Sequence, residues 1–277
     1  MPEGDTIFRS ARALNRALAG RPVTRFETAY AHLARVDDDF AIAGRTVERV
    51  ESRAKWLLMF FSGDLILLTH MRMNGSWHLY RPGERWRKAR RDMRIVIETA
   101  EWMGVAFNVP VAELHSAASL LKKTTISGLG PDLLAKDFDF AEAIEGVRER
   151  ANEQIAEVLL NQHVMAGIGN IYKSEICFLC GVNPFRQVGT LRQQELEQIV
   201  CTARQVLQAN VAEQESGQIS TYAGMRRTAN TLNPSARLWV YGRDGKPCRR
   251  CGNAIEMRKH GLSARTTFWC PVCQPLD

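Results

Sequence analysis

The sequence predicts an α+β protein built as a strand-rich first half, a helical middle and a small cysteine-bound module at the end. Three observations carry this. Between positions 45 and 109, short apolar runs alternate with turn residues. After position 116 the apolar residues return at helical spacing. The last thirty residues hold two Cys-x2-Cys pairs. The expected boundaries are 1–125, 126–235 and 236–277, with Gly128-Leu129-Gly130-Pro131 marking the first junction and 230–235 a turn-rich linker before the cysteine module.

The first element is an amphipathic helix over 6–18, with Ile7, Ala11, Leu14 and Leu18 on one stripe and Gly20 as its stop. Strands follow at 46–50, 55–61, 65–71, 77–80, 93–97 and 105–109, and Ser62-Gly63-Asp64 reads as a hairpin turn. So many short strands in succession suggest an antiparallel sandwich or barrel. Helices are expected at 138–148, 152–162, 171–180 and 192–212.

With 277 residues, two domains are a fair prior, and 45% hydrophobic residues suffice for a sizeable core. No run nears the roughly 18 apolar residues of a membrane span. The start, Met1-Pro2-Glu3-Gly4-Asp5, lacks the basic region and apolar core of a signal peptide, so the expectation is a cytoplasmic protein. In that compartment clustered cysteines are for metal rather than disulfides. The net charge is +7, and from Arg237 to Asp277 eight basic residues face three acids, so five of those seven charges sit there. A polyanion is the partner such a bias suits. Residues 81–94 carry seven basic residues against two acids. They read equally as a DNA-facing loop or a solvated hairpin tip.

Cys248, Cys251, Cys270 and Cys273 form two Cys-x2-Cys knuckles eighteen residues apart, the spacing of a four-cysteine zinc ribbon. Four thiolates close a tetrahedron, so the single zinc ion is expected to be structural. The segment 254–269 between them should be a small hairpin carrying Arg258, Lys259 and Arg265. Cys177 and Cys180 have no second pair and lie in an apolar helix, so they read as core, with Cys201 likewise.

Pro2 is the other chemical feature. Once Met1 is removed it presents a secondary amine with a pKa of about 8, able to attack a sugar C1′ and form an iminium. Glu3 beside it can move the proton.

Five segments in order then resemble one family. They are Met1-Pro2-Glu3-Gly4-Asp5-Thr6, the stretch from Ser52 through Lys55 to Leu58, His70-Met71-Arg72-Met73-Asn74-Gly75, Gly167-Ile168-Gly169-Asn170-Ile171-Tyr172, and Arg265-Thr266-Thr267-Phe268-Trp269-Cys270-Pro271. Together they cover nearly the whole chain and resemble the formamidopyrimidine-DNA glycosylase/endonuclease VIII family. The resemblance implies an N-terminal β-sandwich, a helix-two-turn-helix domain and the zinc finger, acting as a monomer on damaged DNA, nucleoid-associated when at work. It implies Pro2 as nucleophile and Glu3 as the acid for the ring oxygen. Lys55 becomes the hairpin lysine that supports catalysis and contacts phosphate. Asn170 and Arg265 become the residues that hold the flanking phosphates, Arg265 counting also with the catalytic set. Met73 becomes the side chain that fills the gap left by an extruded base. By themselves Lys55 reads as a strand-edge lysine and Met73 as core. His163 and Tyr172 read as structural, and Glu175 either orients the turn or is solvated.

Two departures point to the endonuclease VIII branch, which the resemblance associates with oxidised pyrimidines. Gly4-Asp5-Thr6 stands where the other branch has Leu-Pro-Glu, so Thr6 replaces a glutamate. The stretch Asn108-Val109-Pro110-Val111-Ala112-Glu113 lacks the Arg and Phe of that branch's wedge loop. The expected activity is a bifunctional glycosylase and lyase of base excision repair cutting by β,δ-elimination, with excision of oxidised purines as the alternative. A zinc-ribbon nucleic-acid-binding protein without enzymatic activity is the competing class. It explains the basic terminus but leaves Pro2, Glu3 and Lys55 without a task. Residues reading the lesion are expected on loops near 214–235.

Overall fold

A computed structural model describes residues 2–212, 219–222, 237–261 and 264–276. The expected linker at 230–235 and most of the expected lesion-reading stretch lie outside the described residues. The chain divides into two compact units, Met1–Gly128 and Leu129–Asp277.

The first unit opens with helix α1 (Gly4–Leu18), whose Ile7, Ala11, Leu14 and Leu18 are all buried. Two four-stranded antiparallel sheets follow. The first orders β1 (Arg25–Thr28), β6 (Met93–Glu98), β7 (Met103–Phe107) and β5 (Ser76–Tyr80). The second orders β2 (Val47–Arg53), β3 (Trp56–Phe61), β4 (Leu65–His70) and β8 (Val111–His115). One core joins α1 to the inward residues of both sheets, including Leu57, Met59, Phe61, Leu67, Ile95, Ile97 and Ala106. Alternation along β3 selects Leu57, Met59 and Phe61 for this face. Asn15 of α1 accepts the Val50 N–H of β2 at 2.7 Å, fixing the helix on the sheet.

Several elements differ from the sequence expectation. Strands β1 and β8 are sheet edges, partly exposed, and charged residues interrupt their short apolar stretches. Helix α2 (Ala31–Asp39) buries only Leu33 and ends in three aspartates, the wrong charge for a helix C-terminus. Asn108 turns with φ 50°, and the stretch matched to the wedge loop runs straight into β8.

Short helices α3 (Ala117–Leu121) and α4 (Thr124–Ser127) close the first unit. The second contains α5 (Phe140–Arg148), α6 (Ile155–Val158), α7 (Asn170–Leu179) and α8 (Gln193–Ala212), with a core of Val147, Ile155, Val158, Met165, Ile176 and Leu207 among others. The helix expected over 152–162 shrinks to the single turn α6. Its first donors are claimed elsewhere: Ile155 N–H goes to Arg186 O at 2.9 Å and Ala156 N–H to Pro184 O at 3.1 Å. The cysteine module supplies an antiparallel hairpin, β9 (Glu256–His260) with β10 (Arg265–Trp269), as expected between the knuckles. No helix among the described residues is long and apolar enough to cross a membrane.

Candidate functional site

The candidate residues fall into two groups, one in each unit. In the first, Pro2 is half-buried and Glu3 is sealed from solvent at the head of α1. The Glu3 carbonyl accepts the N–H groups of Thr6 (3.0 Å) and Ile7 (3.1 Å), which starts the helix. Its carboxylate makes no capping hydrogen bond to that helix. Asp5, also buried, pairs with Arg9 at 3.0 Å one turn on. Thr6, in the place of the expected glutamate, donates its hydroxyl to Asp5 Oδ1 at 3.4 Å.

Lys55 stands in the two-residue connection of the β2–β3 hairpin, where Arg53 pairs with Trp56 and Ala54 takes φ 53°. At the same end of the sheet β4 finishes in His70, which pairs with Trp56 and meets its ring edge-on at 4.8 Å. Burial, Arg72 and Lys55 together hold the His70 imidazole down at about 4, so it is neutral at physiological pH. Lys55 and the turn after β4 thus share one electrostatic neighbourhood.

That turn is tight. Gly75 N–H returns to Met71 O at 2.9 Å, His70 Nδ1 accepts the Arg72 N–H at 3.0 Å, and Arg72 takes φ 49°. A Cβ on Gly75 would lie 2.5 Å from the Met71 carbonyl oxygen, so only glycine fits. Met71 goes into the core while Met73 stands out at the tip, 59% exposed. Met73 is therefore not a core residue. The basic loop after β5 folds Trp86 against Tyr80 and Phe107, leaving Arg85, Arg87 and Arg91 exposed.

In the second unit the Gly167–Asn170 turn enters α7. Gly167 takes φ 114°, a conformation that only glycine adopts without strain. Gln162 templates this turn: its amide donates to Leu160 O (2.8 Å) and Ile168 O (3.1 Å) and accepts the Gly167 N–H (3.1 Å). Asn170 is the first residue of α7, nearly buried, and its Nδ2 donates to Thr266 Oγ1 at 3.3 Å. Since Thr266 follows Arg265 on β10, the two residues expected to hold phosphates are brought together. Arg265 itself is exposed. Tyr172 is part of the helical core, whereas His163 is exposed.

Sequence reasoning missed how α7 is used. Lys173, Ser174 and Glu175 are all fully buried. Glu175 is neither solvated nor directed at the turn. It accepts the N–H groups of Trp239 (2.8 Å), Val240 (2.9 Å) and Tyr241 (2.9 Å), and the Thr221 hydroxyl. Burial pushes its carboxyl up while these donors pull it back. The Lys-Ser-Glu run looks like a solvated face, and the only hint of burial is that apolar residues flank it on every side.

The four cysteine sulfurs of the terminal module lie within 4.8 Å of one another, with Cys248–Cys273 at 3.9 Å and Cys251–Cys270 at 3.4 Å. Thiolates at about 2.3 Å from a tetrahedral zinc stand roughly 3.8 Å apart, so the set fits that ion. The Asn253 N–H draws the Cys251 thiol down to about 6, while burial and the neighbouring thiols push Cys270 and Cys273 up. A divalent cation resolves this conflict by stabilising all four thiolates. Gln274 braces the second knuckle, accepting Cys270 N–H at 3.0 Å and donating to Val182 O at 2.8 Å. Cys177 is buried in the helical core and its thiol is pushed up to about 12, whereas Cys180 and Cys201 are only half-buried.

Comparison with known proteins adds three domain matches. Residues 1–110 match the formamidopyrimidine-DNA glycosylase N-terminal domain, 129–222 the formamidopyrimidine-DNA glycosylase H2TH domain, and 245–276 the zinc finger found in FPG and IleRS. A probable endonuclease 8 2 of Streptomyces coelicolor is 38% identical over 99% of this chain and 94% of its own. The DNA-(apurinic or apyrimidinic site) lyase Nei2 of Mycolicibacterium smegmatis is 35% identical, over 99% of each chain. Among solved structures, the Lactococcus lactis Fpg in complex with DNA containing an abasic site superposes with a TM-score of 0.81, at 25% identity, covering 99% of this chain and 100% of that one.

Proposed function

This chain belongs to the formamidopyrimidine-DNA glycosylase/endonuclease VIII family, and from that premise we propose that it excises oxidised pyrimidines from DNA and cuts the strand through an iminium on Pro2. The observation that carries the reading is the juxtaposition, at the head of α1, of half-buried Pro2 and a Glu3 side chain withdrawn from solvent. With Met1 removed, the Pro2 nitrogen attacks C1′ as the base leaves with its electron pair. Glu3 delivers a proton to the ring oxygen, the sugar opens, and the nitrogen lone pair forms the iminium. Loss of a C2′ proton then expels the 3′ phosphate, and a second elimination expels the 5′ phosphate. Hydrolysis of the iminium returns the Pro2 amine, leaving a one-nucleotide gap with phosphate ends.

The supporting parts follow from chemistry. Lys55 offers a cation at a hairpin tip beside the neutral His70, suited to a phosphate and to the charge that develops on expulsion. Asn170 at the start of α7 and Arg265 on β10 hold the flanking phosphates, as an amide at a helix N-terminus and a planar guanidinium suit them. The exposed Met73 enters the stack when the base is flipped out. Cys248, Cys251, Cys270 and Cys273 hold one zinc ion, which keeps the β9–β10 hairpin folded and takes no part in the reaction. The protein works as a monomer on damaged duplex DNA. The pyrimidine preference rests on Gly4-Asp5-Thr6 and on the connection into β8, which carries neither the Arg nor the Phe of that wedge.

Borohydride trapping tests the proposal. Duplexes carrying thymine glycol, 8-oxoguanine or an abasic site should each be offered to zinc-loaded protein lacking Met1. An adduct mapped to Pro2, strongest with thymine glycol among the two damaged bases, is expected. Pro2→Gly and Glu3→Gln should bind but release no base. Normal turnover by either variant would overturn the mechanism, and stronger trapping on 8-oxoguanine would overturn the substrate assignment.

A further inference from the structure

Lysine is almost never fully buried, yet Lys173 is among the largest fully buried side chains in this protein. It lies on α7, three residues after Asn170, so both point from one side of the helix. Among the described residues its ammonium donates to Asn170 Oδ1 at 2.8 Å, Thr267 Oγ1 at 2.7 Å and the Thr266 carbonyl at 3.1 Å. A methionine would occupy the same space without the desolvation of a charge, and buried ions are often replaced by apolar residues with no loss of stability. The ammonium therefore calls for a reason other than packing.

Its partners supply one. Holding Asn170 Oδ1 inward fixes the amide orientation, so that Nδ2 is directed away from the lysine, toward Thr266 Oγ1. Holding the Thr266 carbonyl and Thr267 hydroxyl fixes β10 at the two residues after Arg265. A further hydrogen bond, Phe268 N–H to Ser174 Oγ at 3.4 Å, continues the same seam. One side chain thus sets the position of two residues that lie 95 positions apart in the sequence and come from different elements.

We propose that Lys173 is the positioning residue of the phosphate clamp, a buried cation that orients the Asn170 amide, aligns it with Arg265, and adds its own positive charge behind the bound phosphate. This rests on the reading of Asn170 and Arg265 as the phosphate-holding pair. Because the charge is withdrawn from water, it is poorly screened and acts at longer reach than a surface lysine would. It therefore acts on an arriving phosphate as well as on the docking of β10.

The test is binding of a duplex containing a tetrahydrofuran abasic analogue, followed by fluorescence anisotropy across a salt series. The variants are Asn170→Ala, Lys173→Met, Thr267→Val and the Asn170→Ala/Lys173→Met double, each checked for bound zinc. Lys173→Met should weaken binding about tenfold and lower the slope of log K against log salt by about one, as loss of a phosphate contact does. The double variant should bind more tightly than the product of the two single losses predicts, because the part of the Lys173 effect that passes through Asn170 is already lost in Asn170→Ala. Thr267→Val, which removes one acceptor while leaving the lysine in place, should show a smaller loss with the same non-additivity.

Multiplying effects of Lys173→Met and Asn170→Ala, or an unchanged salt slope in Lys173→Met, would overturn the positioning role while leaving the clamp intact. If Lys173→Met fails to fold, a Thr267→Val protein that binds like the parent would overturn it instead. If Asn170→Ala alone leaves affinity and slope unchanged, the phosphate reading of Asn170 has failed, and this inference with it.

Discussion

Replacing Glu175 with glutamine should loosen the zinc module without touching a cysteine. In the native protein one carboxylate oxygen accepts the Val240 and Tyr241 N–H groups, and the other accepts the Trp239 N–H and the Thr221 hydroxyl. Glutamine keeps one acceptor oxygen and turns an NH2 group on the other pair. The Thr221 hydroxyl can rotate and accept from that NH2, but the Trp239 N–H cannot. One buried donor is left unpaired, a loss of about 1–3 kcal/mol, and two further bonds lose their charge assistance. Glutamine does not carry the burial penalty of a charge, which offsets part of this, so the net loss should be about 2 kcal/mol. Alanine, which abandons all three N–H groups, should lose more. The pH sign follows from the raised carboxyl. A group whose pKa rises on folding stabilises the native state at low pH and loses that contribution as pH rises through the folded value. The Glu175→Gln deficit should therefore be larger near pH 5 than at pH 8. Urea unfolding at the two pH values, with zinc release followed by a chromogenic chelator, measures all of this. A Glu175→Gln protein that releases zinc at the parent's urea concentration would refute the reasoning.

Gly75→Ala should open the turn that carries Met73, since the added methyl meets Met71 backbone atoms at 2.5 and 2.8 Å. A stability loss of about 1–3 kcal/mol and a fall in excision larger than that loss explains are expected, by thermal unfolding and single-turnover assay. His70 has its pKa held down at about 4, so the unfolded chain binds its proton first as pH falls. Stability should therefore drop between about pH 6.5 and 4, and His70→Gln should flatten that slope in urea titrations. Chelating the metal should unfold the hairpin that carries Arg265. DNA binding should be lost with it and return when zinc is restored, with protons released on reloading.

The parts of the fold most legible in the sequence are those where burial is two-sided or periodic. Strands β3 and β4 are apolar almost throughout because both of their faces are covered. Helix α1 shows its stripe because one face meets the sheets. Edge strands β1 and β8 were invisible for the converse reason. An edge exposes half its surface and needs no apolar run, and what makes it a strand is a partner far away, Ile95 opposite Thr28 or Leu67 opposite Leu114. The helix expected over 152–162 failed in the same way. Its periodicity is genuine, but its backbone donors found acceptors some thirty residues downstream.

The candidate site divides along the same line. The four-cysteine cluster was legible because metal geometry forces a fixed local spacing. Pro2, Glu3, Lys55, Asn170 and Arg265 are nominated only by the order of five motifs, since each alone is ordinary. Lys173 and Glu175 were not legible at all. Charged residues on a helix read as surface, and the groups that reverse that reading come 46 to 94 positions later in the chain. Together they make α7 an anchor of opposite polarity at two points. The ammonium gathers the carbonyl and hydroxyl oxygens of β10, and two residues on the carboxylate gathers the N–H groups of the segment before the first knuckle. Oxygen acceptors and nitrogen donors cannot be exchanged between these two points without leaving buried groups unpaired. The charges therefore specify the register in which the C-terminal module docks on α7, a discrimination that apolar side chains of the same volume would not provide.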